Sequence, residues 1–177
     1  GGQGNLFFGK VLAQVAFLAG YDDRNILKGE THGMAQMGGP VISTFGCGEV
    51  FSPALVPGTA NVLIAMEKAE VLRPGFLDLL EPGGTVLMAD TRILPHGLKP
   101  EAYPSDEAIA AQLEGYRVVS VDVLSIALNL GDPKGRCANV AMLGVLSTLP
   151  PFDVVPEAVW LQALRGISRK PALWDLN

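Results

Sequence analysis

A strand, a helix, a turn and a second strand follow one another in the middle of this chain, and this order constrains the fold most. Residues 61–66 form the clearest buried strand, and residues 85–89 form a second apolar run of similar length. Between them the sequence predicts a helix over residues 67–80, disturbed near Pro74-Gly75, and a glycine turn over residues 82–84. This order predicts a right-handed crossover between two parallel strands.

The rest of the chain alternates between the same two kinds of element. Apolar spacing and turn residues predict strands at 25–28, 40–45 and 116–121, and helices at 5–18, 105–115, 122–130, 138–149 and 156–167. We therefore expect an α/β fold with a three-layer open, mostly parallel sheet and helices on both faces. At 177 residues the chain is expected to form a single domain, residues 1–177.

Charge and composition exclude several classes of function. The net charge of −5 and the scattered lysines and arginines argue against a nucleic-acid-binding protein. The sequence shows neither a signal-peptide pattern nor an apolar run of membrane-spanning length. Its two cysteines, Cys47 and Cys137, form no CxxC motif. We therefore expect a reduced, cytoplasmic protein that builds neither a zinc site nor an iron–sulfur cluster by itself.

A glycine turn, Gly1-Gly2-Gln3-Gly4, precedes the first predicted helix. Because such a turn in α/β proteins usually follows a buried strand, we expect a first strand upstream of Gly1. The segment from Gly4 to Val11 also matches the GxxxxGK motif of phosphate-binding loops. However, Val11 stands where that motif needs Ser or Thr, and residues 6–8 are typical of a buried helix face. Free backbone N–H groups at the start of this helix could still receive an anion.

Residues 30–39, Glu-Thr-His-Gly-Met-Ala-Gln-Met-Gly-Gly, fit neither the helical nor the strand period and predict an ordered loop. The loop contains His32, one of two histidines in the chain. Beside Thr31 and near Gln36, this side chain could move protons or bind a substrate carbonyl. The alternative is that His32 satisfies loop carbonyls and holds the shape of the loop.

Other residues also have a functional and a structural interpretation. Met34 and Met37 could form an apolar wall at a binding surface, or fill gaps in the packing. Glu67 ends the clearest strand, where open α/β sheets bind ligands, but it could equally be the first residue of a helix. Cys47 and His96 are expected to be structural, since no basic group lies near Cys47 in sequence.

The landmarks together resemble a known family. They are Gly1-Gly2-Gln3-Gly4-Asn5, the segment 30–39, Ser52-Pro53 and Pro82-Gly83-Gly84-Thr85. In this combination they resemble the gamma-type domain of 2-oxoacid:ferredoxin oxidoreductases. The segment over residues 31–36, THGMAQ, is most similar to the corresponding segment in the beta subunit of indolepyruvate ferredoxin oxidoreductase. Met37 departs from that subgroup, in which a basic residue is expected at this position.

The resemblance implies a subunit or domain of a complex that decarboxylates a 2-oxoacid oxidatively to an acyl-coenzyme A and passes electrons to ferredoxin. It implies that thiamine diphosphate, magnesium and iron–sulfur clusters are bound by partner subunits and that this chain alone is inactive. Apart from the resemblance, the 49% of apolar and 18% of charged residues favour association with a partner or, as a homo-oligomer, with a second copy over an isolated monomer. His32 is the one catalytic candidate, and the implied contacts to the active site are Gly1, Gly2, Gln3, Gly4, Thr31, His32, Gly33, Met34 and Gln36.

Two other functions compete with this one. The chain could be a non-catalytic scaffold or interaction subunit that keeps the same fold. It could also be an independent nucleotide-binding enzyme. Because its phosphate-loop motif is incomplete, this is the least favoured of the three functions.

Overall fold

The computed structural model describes residues 3–32, 41–94, 97 and 99–167, with only the backbone of His32. These residues fall into two compact units, the first made of Gly1–Ala54 and Ala127–Asn177 and the second of Leu55–Ile126. The helices and strands, in chain order, are α1 (Asn5–Leu18), β1 (Ile26–His32), β2 (Val41–Cys47), β3 (Ala60–Ala65), β4 (Leu80–Ala89), α2 (Asp106–Gln112), β5 (Arg117–Val121), α3 (Val123–Asn129), α4 (Ala138–Leu146) and α5 (Glu157–Ile167).

In the first unit, α1 is the element around which the others pack. It contacts β1, β2, α4 and α5. Its buried side chains recur every three or four residues and so share one helix face; they are Phe8, Val11, Leu12, Val15 and Ala16. The helix predicted over residues 5–18 is confirmed.

The strands β1 and β2 form an antiparallel pair in which Ile26 lies opposite Cys47 and His32 lies opposite Val41. The loop predicted over residues 30–39 is therefore wrong at its start, because residues 30–32 continue β1. Each of these residues has a partner in β2, and the hydrogen bonds of a ladder outweigh a missing strand period in the sequence. The remainder of that predicted loop, residues 33–39, lies outside the described residues.

The strand predicted over residues 40–45 extends farther than expected. Gly46 and Cys47 both pair with β1, and β2 ends at Cys47. The next residue, Gly48, has φ of +94°, a left-handed conformation that glycine adopts without steric cost.

The second unit contains a three-stranded parallel sheet in the order β3-β4-β5. The central strand β4 is the most buried, and its Val86, Leu87 and Ala89 are fully enclosed. A strand with neighbours on both sides and cover on both faces is expected to be apolar along its length. The parallel pair predicted from residues 61–66 and 85–89 is confirmed, as is the α/β class with a mostly parallel sheet.

The helix predicted over residues 67–80 is wrong. Two short 3₁₀ turns, Lys68–Leu72 and Leu77–Leu79, stand in its place. Arg73 is extended, with ψ of 129°, because the ring of Pro74 disfavours helical backbone in the preceding residue. Gly75 then adopts φ of +83°, which no continuous right-handed helix contains.

The glycine turn predicted over residues 82–84 lies within β4. Gly83 has φ of +73°, and the register against β3 shifts between Ala60 and Val62. The segment is thus an irregularity in a strand that continues beyond it, and not a turn that precedes the strand. Such an irregularity adds unpaired residues to one strand and bends it locally, and pairing resumes beyond it.

Two predicted helix starts are confirmed by their capping side chains. The hydroxyl of Ser105 accepts a hydrogen bond from the backbone N–H of Ala108 at 3.2 Å, at the start of α2. The carboxylate of Asp122 accepts one from the backbone N–H of Ser125 at 3.0 Å, at the start of α3. Such caps satisfy N–H groups that have no partner within the helix.

The sheet of the second unit is expected to depend on Leu87. Leu87→Ala should lower the free energy of unfolding by about 2–5 kcal/mol, because a fully enclosed side chain leaves a cavity when it is truncated. Equilibrium urea unfolding followed by circular dichroism measures this. Val118→Ala on the neighbouring strand β5, at a side chain 41% exposed, is the matched control. Equal losses in the two variants would contradict this account of the core.

Candidate functional site

The start of α1 lies beside the end of the β1–β2 hairpin at which β1 finishes and β2 begins. The side-chain amide of Asn5 donates a hydrogen bond to the backbone carbonyl of Val41 at 2.8 Å. Val41 lies opposite His32 at the last pair of the hairpin. The two segments that the sequence analysis singled out, the glycine turn and the histidine-containing segment, are therefore adjacent. We call the described residues Gln3, Gly4, Asn5, Thr31, His32 and Val41 the turn–hairpin site.

Gly4 is favoured at this site by its backbone conformation, and the space beside its Cα atom is occupied. Its φ of +79° is in the left-handed region, which side chains disfavour. A Cβ atom on Gly4 would also lie 2.2 Å from Nδ2 of Asn139, closer than non-bonded atoms approach, so the Asn139 side chain would have to move. Asn139 lies in the first turn of α4. The turn therefore has α4 packed directly against its backbone.

The first turn of α1 presents backbone N–H groups without an acidic side chain beside them. The carbonyl of Gly4 accepts the first helical hydrogen bond, from the N–H of Phe8 at 3.0 Å. Glycine has no side chain with which to cap the N–H groups of residues 5–7. Such a helix start suits an anion electrostatically.

The phosphate-loop interpretation does not fit the backbone. A phosphate-binding loop needs its residues before the lysine in an open conformation, so that several N–H groups face one ligand. Here residues 5–8 are already helical, and Gly9 and Lys10 lie inside α1. The GxxxxGK match is therefore a coincidence of helix composition.

The remaining predicted contacts divide into two groups. Thr31 is exposed on β1, opposite Ile42, and His32 is placed by its backbone alone. Gln3 is partly buried just before α1. Outside the described residues lie the other predicted contacts and candidates, Gly1, Gly2, Gly33, Met34, Gln36, Met37 and His96. The structure thus places Gly4 near the end of the hairpin. The individual contacts to the active site remain predictions.

Asn139 is a site residue that the sequence analysis missed. The predicted helix over residues 138–149 is almost wholly apolar. A single asparagine near the start of an apolar helix is a weak signal, since asparagine is common at helix starts for local reasons. Its proximity to Gly4 depends on a contact between residues more than a hundred positions apart.

Glu67, the other candidate, has a structural role. Its carboxylate accepts hydrogen bonds from the backbone N–H groups of Glu70, at 3.1 Å, and Ile93, at 3.2 Å. The hydroxyl of Tyr103 donates a third hydrogen bond. The side chain is almost fully buried, and these donors compensate the carboxylate for its lost hydration. The capping interpretation therefore accounts for Glu67, although it caps a 3₁₀ turn and not an α-helix.

The charged groups around Glu67 are paired with one another. The ammonium of Lys68 lies 2.7 Å from Asp90 and 2.8 Å from Asp106, and these two carboxylates, Asp106 first, raise the pKa of Lys68. Arg92 contacts Asp106 at 2.5 Å and places its guanidinium 5.5 Å from the ring centroid of Tyr103. The charged side chains at this end of the parallel sheet thus form ion pairs with one another.

Neither cysteine has the surroundings of a reactive thiol. Burial, as the largest cause, raises the pKa of both Cys47 and Cys137 above that of an ordinary thiol. A neutral thiol is a poor nucleophile and a poor metal ligand. Among the residues that the structure describes, no group of three or more His, Cys, Asp or Glu side chains could hold a metal ion. The helices in the same part of the chain are all too short or too polar to cross a membrane.

Known sequences resemble the whole chain. The family model described as pyruvate ferredoxin/flavodoxin oxidoreductase matches residues 1–177. The indolepyruvate oxidoreductase subunit IorB of Archaeoglobus fulgidus is 34% identical over 150 residues, which cover 82% of this chain and 71% of the relative. The subunit of the same name from Methanothermobacter thermautotrophicus is 29% identical over 163 residues, 90% of this chain and 80% of the relative.

Two further comparisons agree with these. The ketoisovalerate oxidoreductase subunit VorA of Methanothermobacter marburgensis is 33% identical over 182 residues, which cover 100% of this chain and 32% of the relative. The crystal structure of the pyruvate oxidoreductase subunit PORC from Thermotoga maritima superimposes with a TM-score of 0.67 at 20% identity. That superposition covers 99% of this chain and 85% of the other, and it shows a shared fold.

The pKa of Tyr103 offers a test of the buried Glu67 contact. Burial, followed by the hydrogen bond to Glu67, raises this pKa well above the ordinary value of about 10. The stability contributed by the protonated phenol is therefore complete below about pH 10 and declines as the pH rises through the raised pKa. In an absorbance titration of phenolate at 295 nm, Tyr103→Phe should leave the signal up to about pH 11 unchanged.

The chain has three tyrosines, so the titration has an internal comparison. Tyr21→Phe removes a tyrosine that is 43% exposed. If Tyr103→Phe removed phenolate signal near pH 10, Tyr103 would titrate as an ordinary tyrosine, and the buried hydrogen bond to Glu67 would be contradicted.

Proposed function

Because the chain belongs to the pyruvate ferredoxin/flavodoxin oxidoreductase family, we propose that it is a subunit or domain of an indolepyruvate-type 2-oxoacid:ferredoxin oxidoreductase. The complex oxidatively decarboxylates a 2-oxoacid to an acyl-coenzyme A and passes the electrons to ferredoxin. Two relatives named as indolepyruvate oxidoreductase subunits match most of this chain and support the indolepyruvate type over the pyruvate type.

Within that complex, the turn–hairpin site faces the partner subunit that carries the reaction centre. The observation that carries this proposal is the hydrogen bond from Asn5 to Val41, which joins the glycine turn to the histidine-containing hairpin. Thr31 is exposed at the same end and is available to a second protein. Gly1, Gly2, Gly33, Met34 and Gln36 complete the proposed contact. The role of this chain is to bind and orient, and His32 is its one candidate for moving a proton.

The cofactors of the reaction belong to partner subunits in this proposal. Thiamine diphosphate supplies the stabilised carbanion, magnesium holds its diphosphate, and iron–sulfur clusters carry the electrons. The residues of this chain do not fit these groups, since a cluster held by four cysteine thiolates needs more than the two cysteines present. The buried carboxylate of Glu67 already accepts three protein hydrogen bonds. The chain alone is therefore expected to turn over no 2-oxoacid.

We further propose that residues 1–177 act as one domain and that the complex is cytoplasmic. The cytoplasmic location is supported by the two cysteines, which remain free thiols. Self-association of the chain is compatible with the low proportion of charged residues, 18%. The competing function is a non-catalytic scaffold subunit. It is favoured by one observation, that the ionisable groups around Glu67 and Lys68 are occupied by contacts within the chain.

Replacement of His32 tests the proposed function. In the complex assembled with its partner subunits, His32→Ala should lower the rate of 2-oxoacid-dependent acceptor reduction by about tenfold or more, as the loss of a positioned proton-transfer group does. The measurement is reduction of methyl viologen with indolepyruvate and coenzyme A. Size-exclusion chromatography reports assembly of the same samples.

His96→Ala is the matched control, because the chain has only these two histidines. It should leave both assembly and turnover at the level of the unsubstituted complex. If His32→Ala also left both unchanged, the placement of the turn–hairpin site at the reaction centre would be wrong. If turnover fell equally in both variants, the loss would not be specific to the hairpin.

A further inference from the structure

The contact between Asn139 and Gly4 links two helix starts that are far apart in sequence. Gly4 immediately precedes α1, and Asn139 is the second residue of α4. The position that a Cβ atom of Gly4 would take is 2.2 Å from Nδ2 of Asn139 and 3.2 Å from its Cγ. The planar carboxamide therefore occupies the space beside the Gly4 Cα atom that a side chain would fill in any other residue.

Gly4 cannot fix its own conformation. A glycine populates left-handed and right-handed backbone conformations about equally, so its φ of +79° must be selected by its neighbours. On one side, Asn5 is hydrogen-bonded to the carbonyl of Val41 at 2.8 Å. On the other side lies Asn139. Together with the hydrogen bond that the Gly4 carbonyl accepts from the N–H of Phe8, these neighbours hold Gly4 at the start of α1.

Asn139 is itself held in a rigid position. Just before α4, the carboxylate of Asp132 accepts a hydrogen bond from the backbone N–H of Cys137 at 2.8 Å. The Asp132 side chain is 2% exposed, so this contact is shielded from water. Farther along α4, Met142 and Leu143 are fully buried. A helix fixed at its start and along its buried face provides a firm support for the turn.

We infer that Asn139 is a positioning residue for the 2-oxoacid reaction, acting through Gly4 on the start of α1. This inference rests on the proposed function, because the start of α1 matters to turnover only if it meets the reaction centre on the partner. Asn139 itself touches neither substrate nor cofactor. Its carboxamide restricts the backbone of Gly4, and the start of α1 presents its N–H groups to the partner.

The test compares kcat and KM in the assembled complex. Asn139→Ala opens the space beside Gly4 and should lower kcat about tenfold or more, since small displacements of positioning groups have effects of this size. The KM for indolepyruvate and the amount of complex formed should stay unchanged. Asn139→Asp keeps the planar shape and suits a helix start, so it should restore most of kcat. Asn129→Ala, at an exposed asparagine at the end of α3, is the matched control.

The outcomes separate this inference from the proposed function. Unchanged kcat per assembled complex in Asn139→Ala, with or without lower thermal stability, would show a purely structural residue and overturn the inference. If Asn139→Ala prevents assembly, Asn139→Asp provides the kinetic readout, and a kcat no better than about a tenth of the unsubstituted value would overturn the role of shape. If His32→Ala lowers turnover and Asn139→Ala does not, only the inference is refuted. If neither variant lowers turnover, the proposed function is refuted.

Discussion

The hydrogen bond between Asn5 and Val41 is the interaction on which the candidate site depends. It joins the start of α1 to the end of the hairpin, and α1 packs against both strands of that hairpin. The bond lies at the last pair of an antiparallel ladder and at the first residue of a helix. Both are points at which regular backbone hydrogen bonding stops and a side chain supplies the missing partner.

The two units use their polar residues differently. In the second unit, the end of the parallel sheet would ordinarily be the place to look for a ligand. There Glu67 caps a turn and binds Tyr103, while Lys68 pairs with Asp90 and Asp106. In the first unit, α1 begins with a glycine and no acidic side chain in its first turn. The first unit therefore has a helix start without an acidic side chain, which we propose as a contact to a partner, whereas the charged groups of the second unit pair with one another.

Much of the fold could be predicted from the sequence because its signals are local. The helix α1 and the parallel strands β3, β4 and β5 follow from residue periodicity, and the family resemblance is confirmed by relatives that span most of the chain. The predicted helix over residues 67–80 failed because Arg73 is forced into extended backbone by the next proline. The predicted loop failed at residues 30–32 because pairing with β2 is a tertiary effect. Asn139 escaped notice because only folding brings it to Gly4.

Site-specific photo-crosslinking in the assembled complex tests the central claim, that the turn–hairpin site faces the thiamine-bearing subunit. A photoreactive amino acid would replace Thr31, which is exposed on β1, or Glu101, which is exposed in the second unit. The account predicts that Thr31 forms a covalent adduct with the thiamine-bearing subunit and that Glu101 does not. An adduct from Glu101 alone, or none from Thr31 in a complex that turns over 2-oxoacid, would contradict it.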